Sequence, residues 1–300
     1  MGDADHWERQ QREIESYNIF YSAFHGIDGG PTLKTLGFRN PYRFPQIPIR
    51  NRNKPAEPDV AIFNGEVLLL VEIKSGKNCN KSHLEQMEHC DSVTIEDGIN
   101  WLKNAQVTRY GMDHNDLENI EPAIVYDKSR YEEEIEPYAD DRLDDIASYS
   151  PILSQSKGGK LSIERGSFGE NALDSFFADG VPLPEVPPPT IYLTEGLERE
   201  SLAVSICLDH VIRELKHGRV ELSPTDVEDI YPRRAVELDD IVHVLDFLDE
   251  VGACRFDNEK YVFEQGHQRN FLDVKRIVSE ERVDDYMDFS SDQEPTLDDF

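Results

Sequence analysis

Apolar and polar positions along the chain follow helical and strand periods in turn, which predicts an α/β protein. Near the N-terminus apolar residues recur at steps of three and four, which predicts an amphipathic helix over residues 7–24. Residues 67–71 and Ile73 are apolar at odd and even positions alike, which is typical of a central strand buried on both faces. A capping box at Ser82–Glu85 predicts the start of a further helix, and residues 123–126 predict another buried strand.

A β-hairpin is predicted at Asn64-Gly65, which separates two β-rich runs. A two-residue loop at this point places Asp59 opposite Leu70. Side chains two apart along a strand share a face, so Asp59, Glu72 and Lys74 project from one side of the hairpin. Glu72 is then the diagonal neighbour of Asp59, at about 7–8 Å between backbones.

The remainder of the chain predicts a less regular region and then a second domain. After a first domain of residues 1–128, residues 129–190 hold an acidic block and a proline cluster, which predict an irregular extension and a stiff linker. Residues 191–280 predict three helices followed by a β-hairpin, which is the order of a small winged-helix domain. The acidic tail, residues 281–300, is predicted to be disordered.

The charge of the chain narrows the range of partners. The 300 residues carry a formal net charge of -30, which by itself argues against a nucleic-acid partner. All of the acidic excess lies after residue 80, however. A segment without acids, residues 29–56, contains six basic residues, Lys34, Arg39, Arg43, Arg50, Arg52 and Lys54. This basic run is either a solvated loop or a surface that contacts DNA phosphates.

The acidity itself has two explanations. It is typical of proteins in a salt-rich, halophilic cytoplasm, where a Debye length of roughly 3 Å at 1 M salt screens the repulsion of DNA. The alternative is a DNA-mimicking protein or one that interacts through its tail. We expect a cytoplasmic protein with no membrane partner, because the sequence has no long apolar run and no secretory signal, and its four cysteines are scattered.

Charged residues at the end of the apolar strand carry the candidate chemistry. Asp59 and Glu72 can converge on one hard cation, and the main-chain carbonyl of Ile73 adds a third oxygen. Oxygen donors with open positions suit Mg²⁺, which keeps several waters and binds phosphate. The Lys74 ammonium lies where it can orient a water or stabilise developing charge. A Glu-x-Lys sequence is also common as a solvated pair, but burying unpaired carboxylates here would cost several kcal/mol without a cation.

Pro58-Asp59 and then Glu72-Ile73-Lys74, with twelve residues between the acids, resemble the motif of the PD-(D/E)XK nuclease superfamily. The resemblance covers about residues 10–127. It implies a restriction-endonuclease-like mixed sheet flanked by helices, and Mg²⁺-dependent hydrolysis of phosphodiester bonds in DNA, with Mn²⁺ able to substitute. It assigns Asp59, Glu72 and the Ile73 carbonyl to the metal, and Lys74 to the attacking water.

The same resemblance points to two further catalytic positions. Many members place an acid on the first helix, and either Glu13 or Glu15 fills that place here. Some members carry a glutamine and, four residues later, an aromatic on the helix that follows the lysine. Gln86 is instead followed by Cys90, so this match is partial.

The predicted winged-helix-like domain has features that argue against DNA binding. Such domains place their third helix in the major groove, yet residues 237–251 carry six acids. Arg233-Arg234 is the only basic pair beside that helix, so a homodimer contact or another protein contact is an alternative role. We therefore expect a Mg²⁺-dependent DNA endonuclease or exonuclease from a salt-adapted host or one of its mobile elements. The alternative is a non-catalytic DNA- or protein-binding regulator or scaffold with a degenerate nuclease fold.

Overall fold

A computed structural model describes residues 3–25, 27, 29–50, 52–105, 107–188, 199–215, 218–230 and 238–279. The chain forms two compact units, Met1–Pro189 and Thr190–Phe300. The predicted tail, residues 281–300, lies outside the described residues, as do residues 191–198 and the Arg233-Arg234 pair. In the part of the chain that is described, no helix combines the length and the apolar character needed to cross a membrane.

The first unit contains one seven-stranded mixed sheet flanked by helices. Its helices are α1 (Asp3–Ser22), α2 (Lys81–Asp91), α3 (Ile95–Asn104), α4 (Lys128–Arg130), α5 (Glu136–Ala147) and α6 (Asn171–Asp179). A π-helical segment, Tyr131–Ile135, joins α4 to α5. The strands are β1 (Arg39–Arg43), β2 (Val60–Phe63), β3 (Val67–Lys74), β4 (Asn119–Asp127), β5 (Ile152–Gln155), β6 (Lys160–Arg165) and β7 (Val181–Pro182).

The strands lie in the sheet in chain order, from β1 to β7. Neighbours are antiparallel at both ends of the sheet, whereas β3, β4 and β5 are parallel. Every residue of β3 except Lys74 is buried, as the apolar pattern on both of its faces predicts. The parallel centre needs helical crossovers, and α2 and α3 provide the one between β3 and β4.

Helices cover both faces of this sheet. The face that carries Leu70 and Ile124 forms one hydrophobic cluster with residues of three helices, namely Met87 of α2, Trp101 of α3 and Ile146 of α5. On the opposite face, Gln155 donates a hydrogen bond of 2.9 Å from its Nε2 to the main-chain carbonyl of Ser16. This bond ties α1 to the sheet from the other side.

Residues 129–188 correct the predicted domain boundary. They are not an irregular extension and linker but complete the sheet of the first unit, so the boundary at residue 128 is wrong. The acidic block forms the π-helical segment and α5, and Leu143 and Ile146 of α5 are buried. Arg165 of β6 binds the exposed Asp140 (2.7 Å) and Asp144 (2.8 Å). The acids dominate the composition of this segment and conceal two apolar positions at helical spacing.

The hairpin between β2 and β3 is confirmed, but its register differs from the prediction. Ala61 lies opposite Leu70, and the N–H of Asn64 donates to the carbonyl of Val67 (3.2 Å), so the loop is Gly65-Glu66. The Asn64 side chain holds this turn, because its Oδ1 accepts the N–H groups of Glu66 (3.0 Å) and Val67 (2.7 Å). Gly65 has a φ of 111°, which suits a glycine at the first position of the loop.

The start of α2 also differs from the prediction. The helix begins at Lys81, and its N-cap is Asn80, whose side chain accepts the N–H of His83. The expected capping box at Ser82–Glu85 is therefore wrong, because an Asn two residues earlier satisfies the first turn.

The second unit is built from short helices and a three-stranded antiparallel sheet of order β8-β10-β9. Its helices are α7 (Arg199–Ser205), α8 (Ile212–Glu214), α9 (Pro224–Ile230), α10 (Leu238–Glu250) and α11 (Gln268–Ser279). A π-helical segment, Ile206–Val211, separates α7 from α8. Its strands are β8 (Val220–Leu222), β9 (Arg255–Asp257) and β10 (Lys260–Phe263).

Two elements of the second unit lie outside the predicted three helices and hairpin, namely β8 and α11. The expected cap of α9 is present, since the Ser223 N–H donates to Asp226 Oδ2 (2.7 Å) and the Asp226 N–H to Ser223 Oγ (3.2 Å). The hairpin turn lies at Asn258-Glu259, where both residues have positive φ, and not at Asp257-Asn258. A three-residue strand such as β8 is too short to give a periodic signal in the sequence.

Candidate active site

Asp59 and Glu72 lie together at one end of the hairpin of β2 and β3. The ladder ends at the Val60–Val71 pair, and Asp59 and Glu72 are the next residues on the two sides. The N–H of Asp59 donates to the Glu72 carboxylate, so the two acids are close neighbours. Both carboxylates are buried, with 4% of Asp59 and 2% of Glu72 exposed. The expected place of Asp59 opposite Leu70 is thus wrong, because Ala61 occupies it in the observed register.

The Asp59 carboxylate is fixed by two hydrogen bonds. Its Oδ2 accepts the N–H of Ile73 at 2.6 Å, and its Oδ1 lies 3.0 Å from the hydroxyl of Tyr17. The main chain of Asp59 is held as well, because its carbonyl accepts the N–H of Phe44 at 2.8 Å. Asp59 therefore keeps its place in the sheet although it lies one residue before β2.

Glu72 forms a salt bridge with Lys74, which lies two residues further along the same face of β3. Burial raises the pKa of Glu72, and the charge of Glu13 raises it further. The Lys74 ammonium and the N–H of Asp59 act in the opposite direction and favour the ionised carboxylate. The Lys74 side chain is 19% exposed, so this ammonium lies between the buried acid and the surface.

The carbonyl of Ile73 faces the same end of the hairpin. Its N–H points toward Asp59, on the β2 side of β3, and the N–H and C=O of one residue in an extended strand point to the same side. β2 starts only at Val60, so this carbonyl lies beyond the end of the ladder that joins the two strands.

The structure distinguishes the two acids of α1 that the sequence left open. Glu13 Oε1 lies 2.8 Å from the Tyr17 hydroxyl, which also contacts Asp59. Glu15 is exposed and instead pairs with Lys157. Glu13 is therefore joined to the buried acids, whereas Glu15 belongs to a surface ion pair.

Tyr17 also belongs to the site, although in the sequence it is only one of the periodic positions that predict the N-terminal helix. It is 2% exposed, and its hydroxyl is the atom that joins α1 to the end of β2. Burial and the charges of Asp59 and Glu13 raise the pKa of Tyr17, so its hydroxyl stays protonated. The four-residue spacing of Glu13 and Tyr17 on a helix was the signal available in the sequence.

Gln86, the further catalytic position that the resemblance suggests, and Cys90 four residues later both lie on α2. The Oε1 of Gln86 is buried and accepts no hydrogen bond. Burial, and after it the charges of Glu72 and Asp59, raise the pKa of the Cys90 thiol, which faces the acids as a neutral group. Nearby, His83 Nδ1 lies 3.0 Å from the Tyr126 hydroxyl, and burial, with Lys74 and Arg142, lowers the pKa of His83 to about 4.

The basic run of residues 34–54 does not form one continuous free surface. Arg50 is bound to Glu96 of α3 at 2.6 Å, and Arg52 contacts His89 of α2 at 3.0 Å. The Arg43 guanidinium lies 5.6 Å from the centre of the Tyr21 ring. The three other members are exposed, namely Lys34, Arg39 and Lys54.

The donors at this end of the sheet fit a hard cation. They are the carboxylates of Asp59 and Glu72 and the carbonyl of Ile73, all of them oxygens. Among the described residues, no group of three or more His, Cys, Asp or Glu side chains is arranged to hold a metal ion. A cation at this place would therefore take its remaining ligands from water and substrate phosphate, which is the usual environment of Mg²⁺.

Comparisons of this chain with protein-family models, with curated proteins and with solved structures found no match. The resemblance to PD-(D/E)XK nucleases accordingly rests on the motif residues and on the order of the elements around them. Asp59, Glu72 and Lys74 are the motif residues, and they meet at one end of a mixed sheet.

Proposed function

We propose that the Met1–Pro189 unit is a metal-dependent DNA nuclease of the PD-(D/E)XK type that hydrolyses phosphodiester bonds. The observation that carries the proposal is the pair of buried carboxylates, Asp59 and Glu72, at one end of the motif hairpin with Lys74 beside them. The hairpin, the helices on both faces and the parallel neighbour β4 support the same assignment.

The buried acids are costly unless a cation compensates them. Two neighbouring carboxylates repel each other, and burial weakens the screening of that repulsion by water. Lys74 pairs with Glu72, and Glu13 shares the Tyr17 hydroxyl with Asp59, so three carboxylates converge at this end of the sheet. A fold under selection for stability alone would replace such a cluster with apolar residues of similar size.

Asp59, Glu72 and the Ile73 carbonyl would hold Mg²⁺, with Mn²⁺ as a substitute. When bound, such an ion neutralises charge on the scissile phosphate and lowers the pKa of a bound water. The chain's own residues perform the remaining tasks. The Ile73 N–H orients Asp59, and the Glu72 carboxylate holds the Lys74 ammonium where it can orient the attacking water and stabilise charge that develops on the phosphate.

DNA is the substrate we propose, because the first 80 residues carry balanced charge and the basic run lies beside the motif hairpin. Exposed Lys34, Arg39 and Lys54 are the members best placed to contact phosphates. The acidic remainder of the chain is consistent with work at high salt, where screening removes its repulsion of DNA.

The second unit, we propose, is a winged-helix domain used for a protein contact. Its helix, strand, helix, helix and hairpin follow the winged-helix order. α10 occupies the position of a recognition helix, but exposed acids at Asp239, Asp246 and Glu250 would repel DNA phosphates. A homodimer through this unit fits that role. A non-catalytic regulator or scaffold is the rival proposal, favoured by the same winged-helix order.

Cleavage assays separate the enzyme from the regulator. Supercoiled plasmid and branched DNA are incubated with the protein in Mg²⁺, Mn²⁺ or EDTA, over KCl concentrations up to the molar range. We expect metal-dependent cleavage by the wild type and by Glu15→Gln, and none by Asp59→Asn or Lys74→Met. Glu15 is the matched control because it lies on the same helix as Glu13 but forms a surface pair. Cleavage by all four proteins alike, or by none, contradicts the nuclease proposal.

A further inference from the structure

Two carboxylates of the first unit meet at one phenol oxygen. The Tyr17 hydroxyl lies 2.8 Å from Glu13 Oε1 and 3.0 Å from Asp59 Oδ1. Glu13 comes from the same helix, one turn earlier, whereas Asp59 is 42 residues away in sequence. One buried hydroxyl thus brings an acid of α1 to the acid at the end of β2.

A tyrosine hydroxyl has one proton and can donate it to only one carboxylate at a time. The second carboxylate then faces the lone pairs of the phenol oxygen and the charge of the first carboxylate. This arrangement gives the fold one hydrogen bond at the cost of two converging negative charges. The contacts of the Tyr17 hydroxyl are better explained by the positions in which they hold Asp59 and Glu13.

Phe44, the residue after β1, contributes to the same arrangement. Its ring packs edge-on against Tyr17 at 5.5 Å between centroids, and its N–H donates to the Asp59 carbonyl. Phe44 has a φ of 46°, in the left-handed region that bulky side chains rarely adopt. The chain therefore keeps a strained residue where it touches both Tyr17 and Asp59, and such strain clusters at functional sites.

We propose that Tyr17 is a positioning residue of the active site, whose hydroxyl, held by Glu13, fixes the Asp59 carboxylate in place for the cation. The inference rests on the proposed function, because it assigns Tyr17 to the same metal site. Tyr17 acts through Asp59 and Glu13 and does not itself touch the substrate. Residues that orient metal ligands in this way commonly change metal affinity by about 10–100-fold.

Mn²⁺ binding without DNA tests the proposal by a readout other than cleavage. Free Mn²⁺ is measured by electron paramagnetic resonance in titrations of the wild type, Tyr17→Phe, Glu13→Gln and the double variant. We expect Tyr17→Phe to weaken Mn²⁺ binding about tenfold or more. Because Tyr17 and Glu13 act as one unit, the effects of the two substitutions should not add. The double variant should bind Mn²⁺ with the same affinity as the single variant that binds it more weakly.

Tyr21→Phe is the matched control, since it removes a buried phenol hydroxyl one turn further along α1. Tyr21→Phe should bind Mn²⁺ like the wild type. Cleavage by Tyr17→Phe should recover at raised Mn²⁺, because the variant loses metal affinity and keeps Lys74. A variant that was merely misfolded would not recover in this way.

The outcomes distinguish this inference from the proposed function. If Tyr17→Phe binds Mn²⁺ as tightly as the wild type while Asp59→Asn binds it more weakly, Tyr17 is not a positioning residue. The nuclease proposal is not affected by that outcome. Tyr17-dependent binding without cleavage of any DNA supports the positioning role and rejects the nuclease. If Tyr17→Phe does not fold, Glu13→Gln decides, because unchanged Mn²⁺ affinity in that variant also overturns the proposal. A wild type that binds no Mn²⁺ rejects both.

Discussion

Both units contain a tyrosine hydroxyl in contact with aspartate, and the two contacts are built differently. In the second unit Tyr261 donates to Asp246, a single acid on the exposed side of α10. In the first unit the Tyr17 hydroxyl lies between Asp59 and Glu13, and Asp59 is buried. One hydroxyl for one acid stabilises a fold, whereas one hydroxyl for two acids concentrates negative charge.

The neighbouring acids follow the same division. On α10, Asp249 accepts the N–H of Phe256 at 3.1 Å and Asp240 pairs with Arg199 at 2.7 Å. The first contact joins α10 to β9 and the second joins α10 to α7. In the first unit, Glu72 is added to Asp59 and Glu13, and the charges of all three raise the pKa of Tyr17. The acids of the second unit are thus explained by the fold, while for those of the first unit we propose a cation as well.

The largest expected effect is on catalysis. Lys74→Met should lower the rate of DNA cleavage about 100-fold or more, because removal of one group that stabilises transition-state charge typically costs that much. Lys128→Met is the matched control, since Lys128 also pairs with acids of the first unit, Glu164 at 3.4 Å and Glu132 at 3.6 Å. Single-turnover cleavage rates at saturating Mg²⁺ measure the difference, and equal rates in the two variants would remove Lys74 from the site.

The next effect concerns the pH dependence of stability in the first unit. His83 has a pKa lowered from 6.5 to about 4 by burial, so its stabilising contribution is complete above pH 6.5 and is lost as pH falls toward 4. From pH 7.5 to 5.5 the wild type should lose about 1.4 kcal/mol that His83→Asn does not lose.

Urea unfolding followed by tryptophan fluorescence measures this loss, because both tryptophans, Trp7 and Trp101, belong to the first unit. His243→Asn, which changes an exposed histidine of α10, serves as the control and should behave like the wild type. A loss of stability in His83→Asn as large as that of the wild type would show that His83 is not the group responsible.

A smaller effect is expected at the tyrosine of the second unit. Tyr261→Phe should destabilise that unit by about 1 kcal/mol, the usual net value of one hydrogen bond, and should leave Mn²⁺ binding and cleavage unchanged. Hydrogen exchange of residues 238–263 measures the destabilisation. A loss of Mn²⁺ affinity in Tyr261→Phe would contradict the assignment of the Tyr17 contact to the metal site and of the Tyr261 contact to stability alone.

The smallest effect is expected at the protein surface. Arg39→Ala should weaken DNA binding a few-fold and lower the slope of log K against log salt by about 1, as for one lost phosphate contact. Arg255→Ala, an exposed arginine of the second unit, should change neither quantity. Fluorescence anisotropy of labelled duplex DNA over a salt series measures both variants. Equal salt slopes in the two would show that the basic run is an ordinary solvated loop.

The sequence predicts the central hairpin well because the apolar run of β3 and its glycine turn are strong local signals. It predicts the shared face of Asp59 and Glu72 correctly even with the wrong register. The partner of Leu70 shifts by two residues, from the predicted Asp59 to the observed Ala61. A shift of two residues preserves which side chains share a face of the sheet. The Asn64 side chain, which caps the turn, decides the register and gives no periodic signal.

Other features depend on tertiary contacts that a sequence pattern does not carry. Residues 129–188 join the sheet through short strands such as β5, whose four residues are all buried, and acids on α5 hide its apolar positions. Tyr17 appeared as one more apolar position of α1. Only the fold brings its hydroxyl to Asp59, because the two residues come from different elements.

The stability of the first unit with and without Mg²⁺ tests the central claim most directly, namely that its buried acids are arranged for a cation. In EDTA, Asp59→Asn should be about 1 kcal/mol more stable than the wild type, because an amide relieves the charge repulsion at Tyr17. Mg²⁺ at ten times its Kd should stabilise the wild type by about 1.4 kcal/mol and the variant not at all. A wild type that gains nothing from Mg²⁺, or an Asp59→Asn variant that gains equally, would contradict the account.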